Sequence, residues 1–258
     1  MLVLLRNRVR TLRASLRREL AAPGYRAAVV NLGSATDAYQ PVERQLRITR
    51  AVLEVLAQAR HPVAIVTKAS LVERDLDLLV PMAQQRLAAA FVSVTTLDHA
   101  LSRQLEPRAA SPARRLRTVE TLARAGVPVC VNVAPVIPFV NEPEIERILE
   151  AAAAAGARGA FYTVLRLPWE VAPLFRQWLG VHYPQRAARV MNRVREMRQG
   201  RDYDADFATR MKGSGTWAGL IRQRFDKACA RHHLGRGRFE LRDDLFRRPR
   251  LDSQLDLF

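Results

Sequence analysis

The feature that most constrains the fold of this chain is a regular alternation of short apolar runs with helical patterns. The apolar runs lie at 27–32, 63–67, 90–95, 127–134 and 160–166. They are continuous, as is typical of strands covered on both faces of a sheet, and leucines recur at helical spacing between them. Five strands alternating with helices predict a parallel α/β sheet with right-handed crossovers. Periodicity alone does not separate an open doubly wound sheet from a closed or partial barrel.

Local signals divide the rest of the chain. We predict an N-terminal helical segment over 1–24, an α/β domain over 25–168, a helical extension over 169–240 and a flexible tail over 241–258. In the extension, helices are expected at 169–180, 184–199 and 215–232. The apolar start MLVLL is interpreted as an additional edge strand.

Two helix starts carry recognisable signals. Ser111-Pro112 predicts a helix that begins with proline at its first position. Asn141 is expected to cap the next helix, with Glu144 as its capping-box partner.

Composition predicts a protein without a membrane span and with a strongly basic surface. The apolar runs are too short to cross a bilayer, so we expect a soluble cytoplasmic protein. The formal net charge is +17, and lysine occurs only at Lys68, Lys212 and Lys227, so arginine supplies the excess. A GC-rich genome explains such a bias and is the preferred interpretation; DNA or another polyanionic partner is the alternative.

Cysteine is scarce. Cys130 and Cys229 are the two cysteines of the sequence, and no CxxC motif occurs. This excludes a disulfide framework and a zinc ribbon. Cys130 lies in the apolar run VPVCVNV and is expected to be buried in a strand. A [4Fe–4S] cluster is typically held by three or four thiolates, so these two do not suffice.

Polar residues follow the first two predicted strands, where ligands bind in parallel α/β proteins. The loop GSATDAYQP (33–41) places Thr36, Asp37, Tyr39 and Gln40 within a few residues. Such a loop suits a zwitterionic ligand; the alternative is a capped, hydrogen-bonded turn. Lys68 follows the second strand and is expected to point into the site, or else to end the strand in solvent.

The later strands end in further candidates. Ser93 and Thr95 share one face of their strand, and inward-facing hydroxyl groups need partners. Arg108 is placed to bind a carboxylate in a bidentate fashion, with a surface Glu106–Arg108 pair as the alternative. Arg166 ends the fifth strand and is interpreted as an anion contact.

Several segments together resemble one family. They are NLGSATDAYQP, HPVAIVTKAS, FVSVTTLD, LEPRAASPARRL, NVAPVIPFVNEPEIERIL and VLRLPWEVAPLF. They look like the radical S-adenosylmethionine (radical SAM) proteins of the spore-photoproduct-lyase-like, or DNA repair photolyase, group. The resemblance spans about residues 25–250. It implies an α/β partial (β/α)6 TIM-like barrel that lacks its first, cluster-bearing strand, followed by the helical extension.

The resemblance also implies a cofactor and its contacts. S-adenosylmethionine would bind through the 36–40 loop, which in the family receives the methionine amino group, and through the strand of Ser93 and Thr95, which contacts ribose and carboxylate. Pro135 and Ile137 lie in a segment that resembles the family's adenine-binding element. The sequence departs from the group at Ala38, where proline is usual, and at Phe139, where glycine is usual.

The family's CxxxCxxC motif does not occur in this sequence. A [4Fe–4S] cluster is expected for the family, yet its ligands are absent here. The preferred hypothesis is a truncated or mis-started radical SAM enzyme, lyase-like in its family and inactive alone. The alternatives are a cofactor-binding or substrate-binding remnant and a non-catalytic nucleic-acid-binding module.

Overall fold

The computed structural model describes residues 2–206, 209–235 and 239–251, with side chains from residue 11 onward. The strands are β1 (Val30–Leu32), β2 (Val63–Thr67), β3 (Ala88–Ser93), β4 (Val129–Val136) and β5 (Gly159–Val164). The helices are α1 (Leu2–Ala21), α2 (Glu43–Leu46), α3 (Ile48–Gln58), α4 (Leu76–Gln84), α5 (His99–Leu105), α6 (Pro112–Arg124), α7 (Ile145–Ala154), α8 (Val171–His182), α9 (Ala187–Glu196) and α10 (Gly215–Arg231). Short 3-10 helices at Ser70–Asp75 and Glu142–Glu144 precede α4 and α7.

The strands form one open parallel sheet in the order β1-β2-β3-β4-β5. Val63 of β2 is in register with Val30 of β1 and with Ala88 of β3, and Cys130 of β4 is in register with Gly159 of β5. Helices follow the strands along the chain, which is the arrangement of a partial TIM-like barrel. The predicted α/β class and strand–helix alternation are confirmed.

The chain divides into two compact units. Unit 1 comprises Met1–Val92, Glu120–Val129 and Arg238–Phe258, and unit 2 comprises Ser93–Val119 and Cys130–Gly237. The core of unit 1 includes Leu53 and Leu56 of α3 and Ile65 of β2, all fully buried. These residues are apolar at helical spacing in α3 and continuous in β2, as the sequence patterns predicted.

Unit 2 contains a cluster built by the strand ends and by the helices beyond residue 168. Its buried members are Ile137, Leu165, Leu167, Phe175, Leu179, Val190, Met191 and Val194. The helices expected beyond residue 168 are present as α8, α9 and α10, and α8 and α9 supply five of the eight buried members of this core. The predicted limits of the four domains remain predictions.

Two local expectations are wrong. The apolar start of the chain is the first turn of α1 and not an edge strand. The segment from Leu2 to Ala21 is rich in leucine, arginine and alanine, which favour helices, and contains no breaker before Pro23. Asn141 does not cap a helix, because its side chain makes no capping hydrogen bond. Helix α6, by contrast, begins at Pro112 as predicted.

The C-terminal segment is described as far as residue 251 and packs within unit 1 against earlier parts of the chain. The Arg242 amide donates to the Arg86 carbonyl at 2.8 Å, and the Arg247 amide donates to the Ala59 carbonyl at 2.7 Å. The Phe246 ring packs against His61 at 5.4 Å between centroids. The remainder of the predicted tail, 252–258, lies outside the described residues. Among the described helices, none combines the length and apolarity needed to cross a membrane.

Candidate functional site

The loop after β1 turns sharply at Gly33. The φ of this residue is +88°, and a Cβ atom there would lie 2.0 Å from the Val66 carbonyl oxygen. Glycine alone tolerates both the left-handed backbone and this close approach. The turn allows the following residues to reach the carboxyl end of β2.

Asp37 fixes this loop to the end of β2. Its Oδ1 accepts from the Tyr39 amide at 2.9 Å and from the Thr67 hydroxyl at 2.7 Å. Its Oδ2 accepts from the Lys68 amide at 2.7 Å. The carboxylate therefore has three donors within unit 1, as in the capped turn that the sequence left open as an alternative. An ionised carboxylate offers about four acceptor positions, so roughly one remains for a ligand.

The remaining candidates in this loop and at the end of β2 differ in their exposure. Thr36 and Gln40 are exposed, and the Gln40 amide donates to the Thr36 hydroxyl at 2.8 Å. The Lys68 side chain is half-buried. Tyr39 is 2% exposed and its hydroxyl donates to Asp75 at 3.0 Å. Burial and the Asp75 charge raise the pKa of Tyr39, so it stays a neutral donor.

Asp75 is the centre of a buried polar network that sequence reasoning missed. It is fully buried and accepts from Arg50 at 3.0 Å and from Arg74 at 2.8 Å, in addition to Tyr39. Arg74 also donates to Glu43 at 3.0 Å. A buried carboxylate with two guanidinium partners and a hydroxyl is fully compensated, as buried charges must be. This network anchors the buried Tyr39 and so stabilises the loop 33–41.

In unit 2, Thr95 lies in a second network. Its hydroxyl is 3.2 Å from each Glu106 oxygen and 3.1 Å from the Ala134 carbonyl. Arg115 is 2% exposed, donates to Glu106 at 2.6 Å and also donates to the Ser93 carbonyl at 3.2 Å. The ion pair therefore joins Glu106 to Arg115, whereas Arg108 is exposed.

Asn132 of β4 lies beside Ser93 and has spare hydrogen-bonding capacity. Its Nδ2 is 3.5 Å from the Ser93 hydroxyl oxygen, which is long for a hydrogen bond. Its Oδ1 is buried and has no hydrogen-bond partner among the described residues. Buried polar atoms are seldom left without a partner, so this pair of side chains is suited to a ligand that supplies one.

Asn141 holds the segment after β4. Its amide nitrogen donates to the carbonyls of Thr95 at 2.7 Å and Pro135 at 2.8 Å, and its Oδ1 accepts from the Ile137 amide at 2.7 Å. Pro135 is half-buried, and the Ile137 side chain is fully buried in the core of unit 2. The predicted adenine-binding segment is therefore rigidly held, with Ile137 packed inward.

Phe139, which stands where the family usually has glycine, contacts residues of α9 and α10. Its φ is +61°, and its ring packs against Trp217 at 5.2 Å between centroids. The Arg189 guanidinium lies 4.1 Å from the ring centroid, a favourable cation–π distance. The ring thus joins α9 and α10 to the segment that follows β4.

Arg166, at the end of β5, is half-buried and donates to the Tyr203 hydroxyl at 3.2 Å. Arg198 lies in the same region and is 1% exposed. It donates to the carbonyls of Leu165 at 2.9 Å and Thr209 at 3.1 Å. Burial lowers its pKa. Two guanidinium groups therefore lie at this strand end, and the anion contact expected for Arg166 stays a prediction.

The residues that sequence reasoning missed are Asp75, Arg115, Asn132 and Arg198. For Arg115 a signal existed, because it shares one face of α6 with the buried Thr118 and Val119. An arginine on an apolar helix face requires an internal partner. Asn132 carried a weaker signal as the polar residue in VPVCVNV.

The cysteines do not form a cluster site. Cys130 and Cys229 are both buried, as predicted for Cys130, and burial raises the pKa of the Cys130 thiol to about 12. Among the described residues no group of three or more cysteine, histidine or acidic side chains is arranged to hold a metal ion. Two buried thiols in the whole sequence do not fit a [4Fe–4S] cluster, which requires three or four.

Comparison with known proteins gives consistent matches. The family model described as the Radical SAM superfamily matches residues 6–152. An uncharacterized protein of Mycobacterium tuberculosis is 33% identical over 186 residues, which cover 71% of this chain and 54% of that protein. An uncharacterized protein of Methanocaldococcus jannaschii is 27% identical over 115 residues, 45% of this chain and 43% of that protein.

Solved structures show the same fold. Two spore photoproduct lyase mutants superpose with TM-scores of 0.59 and 0.55 at 13% identity, covering 88% of this chain and 65% of theirs. The chain spans about half the length of the curated relatives it matches, 54% for the mycobacterial protein.

Proposed function

The chain belongs to the radical SAM superfamily, and on that premise we propose that it binds S-adenosylmethionine as part of a lyase-like radical enzyme. The observation that carries this proposal is the Ser93–Asn132 pair with its partnerless buried Oδ1. Ser93 ends β3, at the edge where parallel α/β proteins bind ligands, and Asn132 lies within the neighbouring strand β4. S-adenosylmethionine, when bound and reduced by a [4Fe–4S] cluster, supplies radical chemistry.

Several residues of this chain would hold the cofactor. Ser93 and Asn132 offer donors and an acceptor to ribose hydroxyl groups. The segment held by Asn141, with Pro135 at its half-buried face, would support the adenine. Hydrogen bonds among Glu106, Arg115 and Thr95 keep the strand ends in place. The charges of Glu106 and Arg115 compensate each other and need no ligand.

The cluster itself does not fit the residues of this chain. We propose that the polypeptide contributes cofactor binding and that, alone, it lacks radical activity. Anaerobic reconstitution with iron and sulfide, followed by metal quantification, should yield no stable cluster; about four irons per chain would refute the proposal. The Cys130 thiol, buried and with its pKa raised to about 12, should react with a thiol reagent at pH 8 only after unfolding.

Equilibrium dialysis with labelled S-adenosylmethionine tests the cofactor site. The wild type should bind weakly, and Asn132→Ala should lose about tenfold in affinity, the size of a hydrogen bond to a charged or strongly polar partner. Asn192→Ala, on the exposed face of α9, is the matched control and should bind like the wild type. Absence of wild-type binding, or equal affinity of both variants, contradicts the proposal.

A further inference from the structure

Unit 1 contains a second concave site, formed by α1, the end of α3 and the C-terminal segment. The cavity has a volume of about 370 Å³, and its lining includes Arg17, Gln58, Ala59, Arg247, Arg248 and Arg250. We call it the arginine groove. Four of its lining side chains are guanidinium groups that come from two segments far apart in the chain.

Backbone and neutral contacts hold the arginine groove together. The Arg247 amide donates to the Ala59 carbonyl at 2.7 Å. One Arg248 nitrogen donates to the Pro23 carbonyl at 2.9 Å, and one Arg17 nitrogen donates to Gln58 at 2.8 Å. Each guanidinium carries five N–H donors, so these contacts leave most of the donors available.

Among the described residues that line the groove, none carries a carboxylate to balance its positive charge. Two acids of unit 1 pair with arginines outside the lining: Glu54 pairs with Arg13 and Arg50, and Asp244 pairs with Arg242. By contrast, Arg50 in the same unit is bound by Asp75 and Asp77. Like charges that line one cavity repel one another, and a bound anion would remove that repulsion.

Within unit 1, the groove and the Asp37 loop lie at opposite ends of β2. Helix α3 ends at Gln58, shortly before β2 begins at Val63, so the groove lies at the amino end of β2. Asp37 and Lys68 mark the carboxyl end of the same strand. A ligand in the groove therefore makes none of the contacts discussed for S-adenosylmethionine.

We infer that the arginine groove binds a phosphate-bearing ligand. Planar guanidinium groups match phosphate oxygens in paired hydrogen bonds, and the volume lies at the small end of ligand pockets. The shared chemistry is the phosphate group, presented by a small phosphoanion or by a polynucleotide backbone. Neither the inference nor its test depends on S-adenosylmethionine binding.

The test uses inorganic pyrophosphate, followed by calorimetry, and a labelled 20-nucleotide oligothymidylate, followed by fluorescence polarisation. The double variant Arg247→Ala with Arg250→Ala removes two groove charges and keeps both backbone amides. The charge-matched control is Arg103→Ala with Arg124→Ala, two exposed arginines outside the groove. Thermal unfolding of both double variants verifies that the fold is retained.

We expect the groove variant to lose about tenfold in affinity for each arginine removed, and the control to lose less than threefold. Pyrophosphate binding with this dependence supports the inference and identifies a small phosphoanion site. Oligonucleotide binding alone, with the salt slope lowered by about 0.7 per lost contact, supports it and identifies a polymer backbone. Failure of both probes to bind, or equal losses in the groove and control variants, overturns it.

Discussion

The Asp75 network of unit 1 and the Ser93–Asn132 pair of unit 2 differ in how completely their polar groups are hydrogen-bonded. In unit 1, Asp75 has three donors and Asp37 has three more, all from within the same unit. In unit 2, Asn132 has a buried oxygen without a partner and a single long contact to Ser93. A satisfied network stabilises the fold, whereas an unsatisfied one has capacity for a ligand. We therefore expect substitutions in unit 1 to lower stability and substitutions at Asn132 to lower binding.

The largest effect is expected at Asp75. Asp75→Ala removes the common acceptor of Tyr39, Arg50 and Arg74 and leaves the buried Tyr39 hydroxyl without its acceptor. The free energy of unfolding should fall by about 3–5 kcal/mol, measured by urea denaturation. Asp77→Ala is the control, since Asp77 binds Arg50 with its side chain 57% exposed, and it should cost less than about 1 kcal/mol. Similar losses in the two variants would contradict the buried-network interpretation.

A substitution at Tyr39 distinguishes a structural role of this side chain from a ligand-binding role. Tyr39→Phe keeps the buried ring and removes the donor to Asp75, which should lower the free energy of unfolding by about 1–2 kcal/mol. The affinity for S-adenosylmethionine should stay within about twofold of wild type, because the hydroxyl points to Asp75. A large loss of affinity for S-adenosylmethionine at unchanged stability would contradict the structural role of Tyr39 in unit 1.

His61 gives unit 1 a pH dependence. It is fully buried between Tyr25 and Phe246, and burial lowers its pKa below the usual 6.5. Below about pH 6.5 the unfolded chain binds a proton that the folded protein does not, so stability falls as the pH drops through that value. The slope is at most about 1.4 kcal/mol per pH unit.

Denaturation curves between pH 8 and pH 5 measure this effect. His61→Gln should flatten the dependence in that range, and His99→Gln, at an exposed position, should leave it unchanged. The same slope in wild type and His61→Gln would show that another group titrates.

The smallest change in stability is expected at Asn132. Asn132→Leu replaces a buried amide whose oxygen has no partner, so the free energy of unfolding should stay within about 1 kcal/mol of wild type. Binding of S-adenosylmethionine should nevertheless be lost in dialysis. A stability loss of the size seen for Asp75→Ala would indicate that Asn132 is structural, and the contrast between the units would disappear.

The sequence predicted features that depend on neighbouring residues. The five strands and the helices α8 to α10 follow from local patterns, and each lies within a few residues of its expected position. The family resemblance also held, with a radical SAM family match and structural neighbours that are spore photoproduct lyases. The proposed cofactor contacts, from Thr36 to Arg166, remain predictions.

Features that depend on distant partners were missed. Asn141 was expected to cap a helix, yet its amide binds the Thr95 carbonyl, 46 positions earlier in the chain. A surface Glu106–Arg108 pair was one of the two alternatives for Arg108, whereas the ion-pair partner of Glu106 is the buried Arg115 of α6. Sequence patterns predict helix caps and ion pairs between residues that are close in the chain. Which distant group binds the same donor is determined by the folded structure.

The packing of residues 239–251 within unit 1 has a consequence for synthesis of the protein. The amide that binds Ala59 and the ring that packs on His61 belong to Arg247 and Phe246, far later in the chain. During translation, Ala59 and His61 therefore stay uncovered until Phe246 and Arg247 have been made. Contacts between residues so distant in sequence raise the contact order of unit 1, which favours slow folding.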